Sequence, residues 1–302
     1  MCDLSIKLGK LNLKNPIMPA SGTFGYGIEF KDFIDLNKIG AIVTKGISIN
    51  PKVGNPPPRI FEGDNYLMNY IGLENIGFFE FKKNILPKLT KFSTPIIVNC
   101  FGNYFNEYIE VCEKLNELKE VSAIEVNISC PNVEKGGLEF GTNPDEIFKL
   151  IKEIRKVYDK FLIVKISPVI SDIIKAGKLI EEAGADAITA INTIRGIRID
   201  IFENKIFRGS ISGKLLKPVA LRIVKELSDN LSIPIIGCGG IEKIEDVIEF
   251  IKAGAKAVQI GTMNLVKPNI LVKLVKNLKK IMELNKIKNI EDLRHAKIKK
   301  IN

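Results

Sequence analysis

The feature that most constrains this chain is an alternation. Short runs of apolar, mostly β-branched residues recur along it, each followed by a longer stretch with helical periodicity. The runs are IMPAS (17–21), AIVTK (41–45), PIIVN (95–99), AIEVN (123–127), LIVKI (162–166), AITAIN (187–192), PIIGCG (234–239) and AVQIG (257–261). Between them lie amphipathic segments such as PDEIFKLIKEIRKVY and KIEDVIEFIKAG. A strand that is apolar on both faces must be covered on both, and a strand–helix–strand repeat makes neighbouring strands parallel. Eight such units in 302 residues, a little above the roughly 250 of a typical barrel, predict an α/β chain folded as a (β/α)8 TIM barrel. A doubly wound open sheet is the alternative. LSIKLGKLNL at the start reads as an N-terminal hairpin able to close the barrel bottom. Two excursions interrupt the repeat at the C-terminal face, residues 46–77 and 193–213, and the second reads as an extra β-ribbon. Connections of that length tend to carry function. No linker or internal repeat divides the chain, so residues 1–302 are expected to form a single domain.

Composition then removes most kinds of chemistry. The only histidine is His295, in a basic tail. Ser-His-Asp triads, HExxH zinc sites and facial iron triads therefore have no candidate residues. Proton transfer falls to Cys, Lys, Tyr, Asp or Glu. Five cysteines, Cys2, Cys100, Cys112, Cys130 and Cys238, make no CxxC pair and no zinc spacing; no metal site is expected, and free thiols are. No run reaches the ~18 apolar residues of a membrane span, and the start lacks the apolar core of a signal peptide. A cytoplasmic protein without a membrane partner is the expectation. The net charge of +10 admits an acidic partner such as RNA, but lysines spread along solvated helix faces are the favoured account of it. No nucleic-acid partner is expected.

In a barrel of this kind the site forms at the C-terminal ends of the strands. Small, polar and glycine residues cluster just there. GCGGI (237–241) and IGT (260–262) follow the seventh and eighth runs, where glycine lets backbone N–H groups approach a phosphate. No GxGxxG fingerprint opens a helix, so a dinucleotide site is not expected. Lys45 and Lys165 close apolar runs, and placing ammonium groups at a barrel rim is costly unless an anion or polar ligand receives them. Asn99, Asn127 and Asn192 also end runs. Each alone is an ordinary turn residue; together they suit the edge of a planar amide heterocycle. NISCPNVEKGG (127–137) sets Cys130 on a loop hinged by Gly136 and Gly137. Cys130 could simply fill space, but with no histidine available its thiol becomes the candidate base.

Six segments carry a resemblance. SGTFGYG (21–27), KGISINPKVGNPPPR (45–59), NYIGLEN (69–75), NISCPNVEKGG (127–137), SGKLLKPVAL (212–221) and GCGGI (237–241) resemble, in order and nearly end to end, the class 1 dihydroorotate dehydrogenases. They are most similar to the NAD-linked B-type catalytic subunit. The resemblance implies an FMN-binding TIM-barrel domain that oxidises (S)-dihydroorotate to orotate in pyrimidine (UMP) biosynthesis. In it Cys130 would take the proton from C5 while hydride leaves C6 for flavin N5. Lys45 would touch flavin and substrate and help hold the carboxylate. Asn69, Tyr70, Ile71, Gly72, Leu73, Asn127, Asn192 and Thr193 would bind the pyrimidine ring and carboxylate. Ser21, Gly46, Asn99, Asn127, Lys165, Ile191 and Gly213 would line the FMN, and Gly239, Gly240, Gly261 and Thr262 would cradle its phosphate. Lys165 would be the cation at the flavin N1 edge.

The same resemblance implies a partner, an electron-transfer subunit carrying FAD and a [2Fe-2S] cluster, in a heterotetramer of two catalytic and two electron-transfer chains. The scattered cysteines here could not ligate such a cluster with the usual local spacing. SGTFGYG and NPPPR favour the B-type over the fumarate-linked A-type. Dihydrouridine synthases, which share an Asn-x-x-Cys-Pro loop, add an RNA-binding domain for which little chain remains after the eighth run. Two departures stand out: Cys238 within GCGGI, and Tyr70 where a small residue is common.

Overall fold

The computed structural model describes residues 2–129, 131–132, 138–139 and 142–299. Its centre is a parallel sheet of eight strands: β1 (Ile17–Pro19), β2 (Ile42–Val43), β3 (Ile96–Cys100), β4 (Val121–Asn127), β5 (Phe161–Ile166), β6 (Ala187–Ala190), β7 (Ile235–Cys238) and β8 (Ala257–Ile260). They pair in the order β1-β8-β7-β6-β5-β4-β3-β2, the order of a barrel cut between its first two strands. Every expected run became a strand. The doubly wound alternative is excluded by this order, which never reverses.

The seam between β1 and β2 is bridged by the Gly40 N–H, which donates to the Ile17 carbonyl at 2.8 Å. Asn15, nearly fully buried, braces the same place. Its side-chain oxygen accepts from the Ile17 N–H at 3.1 Å, and its amide nitrogen donates to the Lys38 carbonyl at 3.0 Å. The backbones approach so closely that a Cβ on Gly40 would lie 2.3 Å from the Asn15 carbonyl oxygen.

Helices cover the barrel: α1 (77–89, with a π-helical turn at Phe81–Ile85), α2 (Phe105–Asn116), α3 (Pro144–Val157), α4 (Ile173–Glu182), α5 (Lys217–Asn230), α6 (Ile244–Ala253) and α7 (Ile270–Leu284). α3 shows why they form. Ile147, Leu150, Ile151 and Ile154 put one apolar stripe on the core. Asn143 caps its start by accepting from the Asp145 N–H at 2.9 Å, Pro144 opens the first turn, and Arg155 and Lys156 close the last. The connection after β1 has only two short 3-10 turns, Ile28–Phe30 and Leu36–Lys38. Gly22, Gly25 and Gly27 all have positive φ there, which a continuous helix cannot accommodate.

The N-terminal hairpin is present, Ile6–Leu8 pairing antiparallel with Leu11–Leu13. Its turn at Gly9 sits against Phe161, the first residue of β5, so it covers the bottom of the barrel. At the opposite end the two excursions join into one four-stranded antiparallel sheet. Its order is Ile194–Asp200, Lys205–Ser212, Tyr66–Asn69, Ile60–Gly63. Ser210 faces Asn69 and Ser212 faces Leu67, so segments remote in sequence form a single wall above the barrel.

Gly40→Ala is expected to destabilise the chain by about 1–3 kcal/mol, because backbone rather than a flexible side chain must move. Urea unfolding measures this; a loss below about 0.5 kcal/mol would mean that the seam is not tightly closed.

Candidate active site

A cavity of ≈ 890 Å³ opens at the C-terminal ends of the strands. All eight strand ends or the loops just after them reach it. Ser21 follows β1, Lys45 and Gly46 follow β2, Asn99 lies in β3 and Asn127 ends β4. Lys165 comes from β5, Ile191, Asn192 and Thr193 follow β6, Gly239 and Gly240 follow β7, and Gly261 and Thr262 follow β8. The four-stranded wall and its loops add Asn69, Tyr70, Ile71, Gly72, Leu73 and Gly213. Every site residue singled out from the sequence that lies among the described residues lines this cavity. Cys130, Gly136 and Gly137 lie outside the described residues.

Below the cavity floor the barrel holds a polar layer. Glu125, mid-strand in β4 and fully buried, accepts hydrogen bonds from Asn99 Nδ2 at 2.8 Å, Thr189 Oγ1 at 2.7 Å and Gln259 Nε2. Lys165 Nζ stands 3.6 Å from Glu125 Oε1, donates to Gln259 Oε1 at 3.1 Å and reaches Ser21 Oγ at 3.4 Å. Burial works most strongly against the Lys165 ammonium, but the charges and hydrogen bonding beside it, first the Glu125 carboxylate and then Cys238, together hold the lysine pKa above its ordinary value. Cys238, in the wall beside them, is a buried thiol whose pKa burial pushes up while Lys165 pulls the other way.

The upper part of the cavity is built by loops tied to one another. Lys45 donates its N–H to the Gly25 carbonyl at 2.7 Å, and the Ile76 N–H donates to Tyr26 Oη at 3.0 Å, so SGTFGYG holds both neighbouring segments. Lys45 Nζ lies 3.9 Å from Glu74, whose carboxylate is gripped at 2.6 Å by Arg59 of the NPPPR segment. Gly72 and Leu73 both have positive φ, 76° and 58°; for a leucine that conformation is strained and persists only where the surroundings hold it. Asn192 Nδ2 donates to Asn127 Oδ1 at 3.0 Å, and the Thr193 N–H donates to Asn192 Oδ1 at 2.8 Å. These two asparagines thus form one amide rail. Tyr70 lines the cavity and is partly exposed.

The glycine turns have distinct jobs. Gly239 and Gly240 have φ of 125° and 71°, and a Cβ on Gly240 would come 2.7 Å from the Lys217 nitrogen. A Cβ on Gly261 would meet only Ala20 Cβ, at 3.7 Å; the space beside it belongs to the cavity. The turn after β7 is anchored by Asp246 of α6, which accepts from the Glu242 and Lys243 N–H groups at 2.8 and 3.0 Å and from Lys217 Nζ at 2.7 Å. Burial raises the Asp246 pKa, but these hydrogen bonds prevail and hold it below the usual carboxylate range.

Sequence reasoning missed Glu125, Thr189 and Gln259, and also Glu74 and Arg59 as a pair. A signal existed for two of them: a glutamate and a glutamine inside runs otherwise apolar on both faces. Arg195 and Arg208, from the ribbon, also line the cavity.

The (β/α)8 barrel thus brings two lysines, an amide rail and two glycine turns to one cavity at its strand ends, a set of groups able to meet an anionic, planar ligand. The family model for dihydroorotate dehydrogenase matches residues 3–282. The chain belongs to the dihydroorotate dehydrogenase family. Among its relatives is the protein of Thermoanaerobacter pseudethanolicus named dihydroorotate dehydrogenase B (NAD(+)), catalytic subunit. It is 46% identical over 297 residues, covering 96% of this chain and 97% of that one. Proteins of the same name from Thermodesulfovibrio yellowstonii and Listeria monocytogenes are 46% and 44% identical, over 96% of this chain and 97% of theirs. No helix among the described residues is long and apolar enough to cross a membrane.

The Asp246 anchor predicts an acid-dependent term in stability. Its carboxyl is depressed in the folded chain, so its contribution is complete above the unfolded value near pH 4 and is lost as pH falls through the folded pKa. The stability difference between wild type and Asp246→Asn, followed by urea unfolding, should hold down to about pH 5 and shrink below it. A difference that stays constant through the acid range would contradict the anchor.

Proposed function

We propose that this chain is the FMN-bearing catalytic subunit of an NAD-linked dihydroorotate dehydrogenase, oxidising (S)-dihydroorotate to orotate for UMP synthesis in the cytoplasm, within one barrel domain. The observation that carries this is the convergence of a buried cation, an amide rail and two glycine turns on one cavity large enough for a flavin beside a small planar acid.

The residues fit FMN. Gly261 leaves open the space that a Cβ would fill. Lys165 is a buried cation at the cavity wall. Ser129 Oγ, buried and without a hydrogen-bond partner among the described residues, borders the same space. Gly239, Gly240, Gly261 and Thr262 would hold the phosphate, and Ser21, Lys45, Gly46, Asn99, Asn127, Lys165, Ile191 and Gly213 the rest of the group. Bound there, FMN supplies the acceptor for the hydride leaving substrate C6.

The chain's own residues do the remaining work. Lys45 binds the substrate carboxylate and orients it with Asn69 and the 70–73 segment. Asn127, Asn192 and Thr193 read the ring amides, the rail fixing which atoms donate and which accept. Cys130 removes the C5 proton. A free thiol has a pKa near ~8.5, so activity rises with pH as this one ionises. A second subunit, two of each chain per assembly, would hold FAD and a [2Fe-2S] cluster and would supply the route to NAD; the relatives' designation as catalytic subunits supports a partner.

The deciding experiment is an anaerobic visible spectrum of the purified chain, reconstituted with FMN where needed. Dihydroorotate should bleach the flavin band. A bound flavin that stays oxidised would exclude dihydroorotate as substrate, and a chain that refuses FMN would exclude the cofactor.

Cys130→Ala should keep the flavin spectrum and lose about 10²–10⁴-fold in kcat. Its residual activity should be flat with pH. A pH profile unchanged by the substitution would remove Cys130 as the base.

A further inference from the structure

Glu125 lies one layer beneath the cavity, with its side chain fully buried. All its acceptor directions are engaged. Oε1 takes Asn99 Nδ2 and faces Lys165 Nζ, while Oε2 takes Thr189 Oγ1 and Gln259 Nε2. The partners come from β3, β5, β6 and β8, so the carboxylate is fixed by strands around much of the barrel. Two of them are amide N–H donors, which offer nothing to a proton on the carboxyl. Lys165 is 4% exposed, and among the described residues Glu125 is the carboxylate within ion-pair reach of it. The titratable groups acting on Lys165 are Glu125 from β4 and Cys238 from β7; Ser21 and Gln259 touch it without charge.

A lysine so deeply buried does not keep its proton unaided. Desolvation alone has taken buried lysines to pKa values near 5–6. We propose that Glu125 is a positioning residue for the redox step: it holds Lys165 as a permanent ammonium at the cavity wall, so that electrons entering the bound cofactor bring no proton to this lysine. This role presupposes that the cavity holds FMN. Two electrons and one proton then arrive on the flavin ring as hydride, leaving one negative charge that the standing ammonium offsets. Without the Glu125 carboxylate, Lys165 is neutral beside the oxidised ring and takes a proton from solvent when the ring becomes negative. The same two electrons are then accompanied by two protons, one on the ring and one on Lys165.

The count of protons per two electrons is therefore the test. It is read from the slope of midpoint potential against pH in spectroelectrochemical titrations of the FMN-loaded chain between about pH 6 and pH 9. Wild type is expected to take up one proton throughout. Glu125→Gln should take up two over part of the range, and Glu125→Asp, which keeps the charge, should return to one. A merely structural role would change the unfolding midpoint and leave the slope alone. Equal slopes in wild type and Glu125→Gln would overturn the proposal. So would a wild-type slope of two, which needs no variant to fold. Failure of the wild-type chain to take up FMN would overturn the cofactor assignment and this role together.

Discussion

A closed parallel barrel has to fill its own interior, and every side chain that points inward must find its partner there. Most do so with apolar contact: Ile97, Ala123, Ile163 and Ala187, on the same strand faces as the polar residues above them, are completely buried. One layer departs from that rule. Asn99, Glu125, Lys165, Thr189 and Gln259 are all nearly or fully buried, drawn from five strands, and they satisfy one another. A half-satisfied layer would be worse than none, since removing one member of a buried ion pair costs about 3–5 kcal/mol. The layer is tolerable because parallel register puts Asn99 opposite Glu125 and Lys165 opposite Thr189. The site above depends on it, for this layer fixes the height and direction of the buried cation.

The roof is held differently. Its wall joins residues 60–69 to residues 194–212 by strand pairing, with Asn69 Nδ2 donating to the Ser210 carbonyl at 3.2 Å. Its loops are tied by single contacts such as Arg59 with Glu74, an ion pair partly open to water that contributes at most about 1 kcal/mol to stability. The barrel floor is therefore the rigid part, while the roof has the weaker ties suited to letting a small substrate in and out.

How much of this was legible follows from the range of each interaction. The eight strands showed in the sequence because burial on both faces leaves continuous apolar runs, which need no partner to be recognised. The ribbon after Thr193 showed for a similar local reason. Its joining to the 60–69 hairpin did not, because pairs such as Asn69 with Ser210 leave no periodic trace across so many residues. Lys45, Lys165 and the three asparagines stood out as polar ends of apolar strands. Glu125 could have been noticed as a charge inside AIEVN, but its meaning lies in donors from Asn99, Thr189 and Gln259, and no local spacing links those four.

The two lysines illustrate why one site needs both kinds of cation. Lys45 is 25% exposed and faces Glu74 at 3.9 Å, a loose pairing that water can replace. Lys165 is 4% exposed and locked by an equally buried carboxylate. In the proposed function a substrate carboxylate comes and goes at each turnover, so its cation must exchange one partner for another at low cost. A resident cofactor does not leave, and its charge changes in place. For that, a cation whose own charge is fixed by the fold is the better counterpart, because no solvent or proton has to rearrange when the electrons arrive.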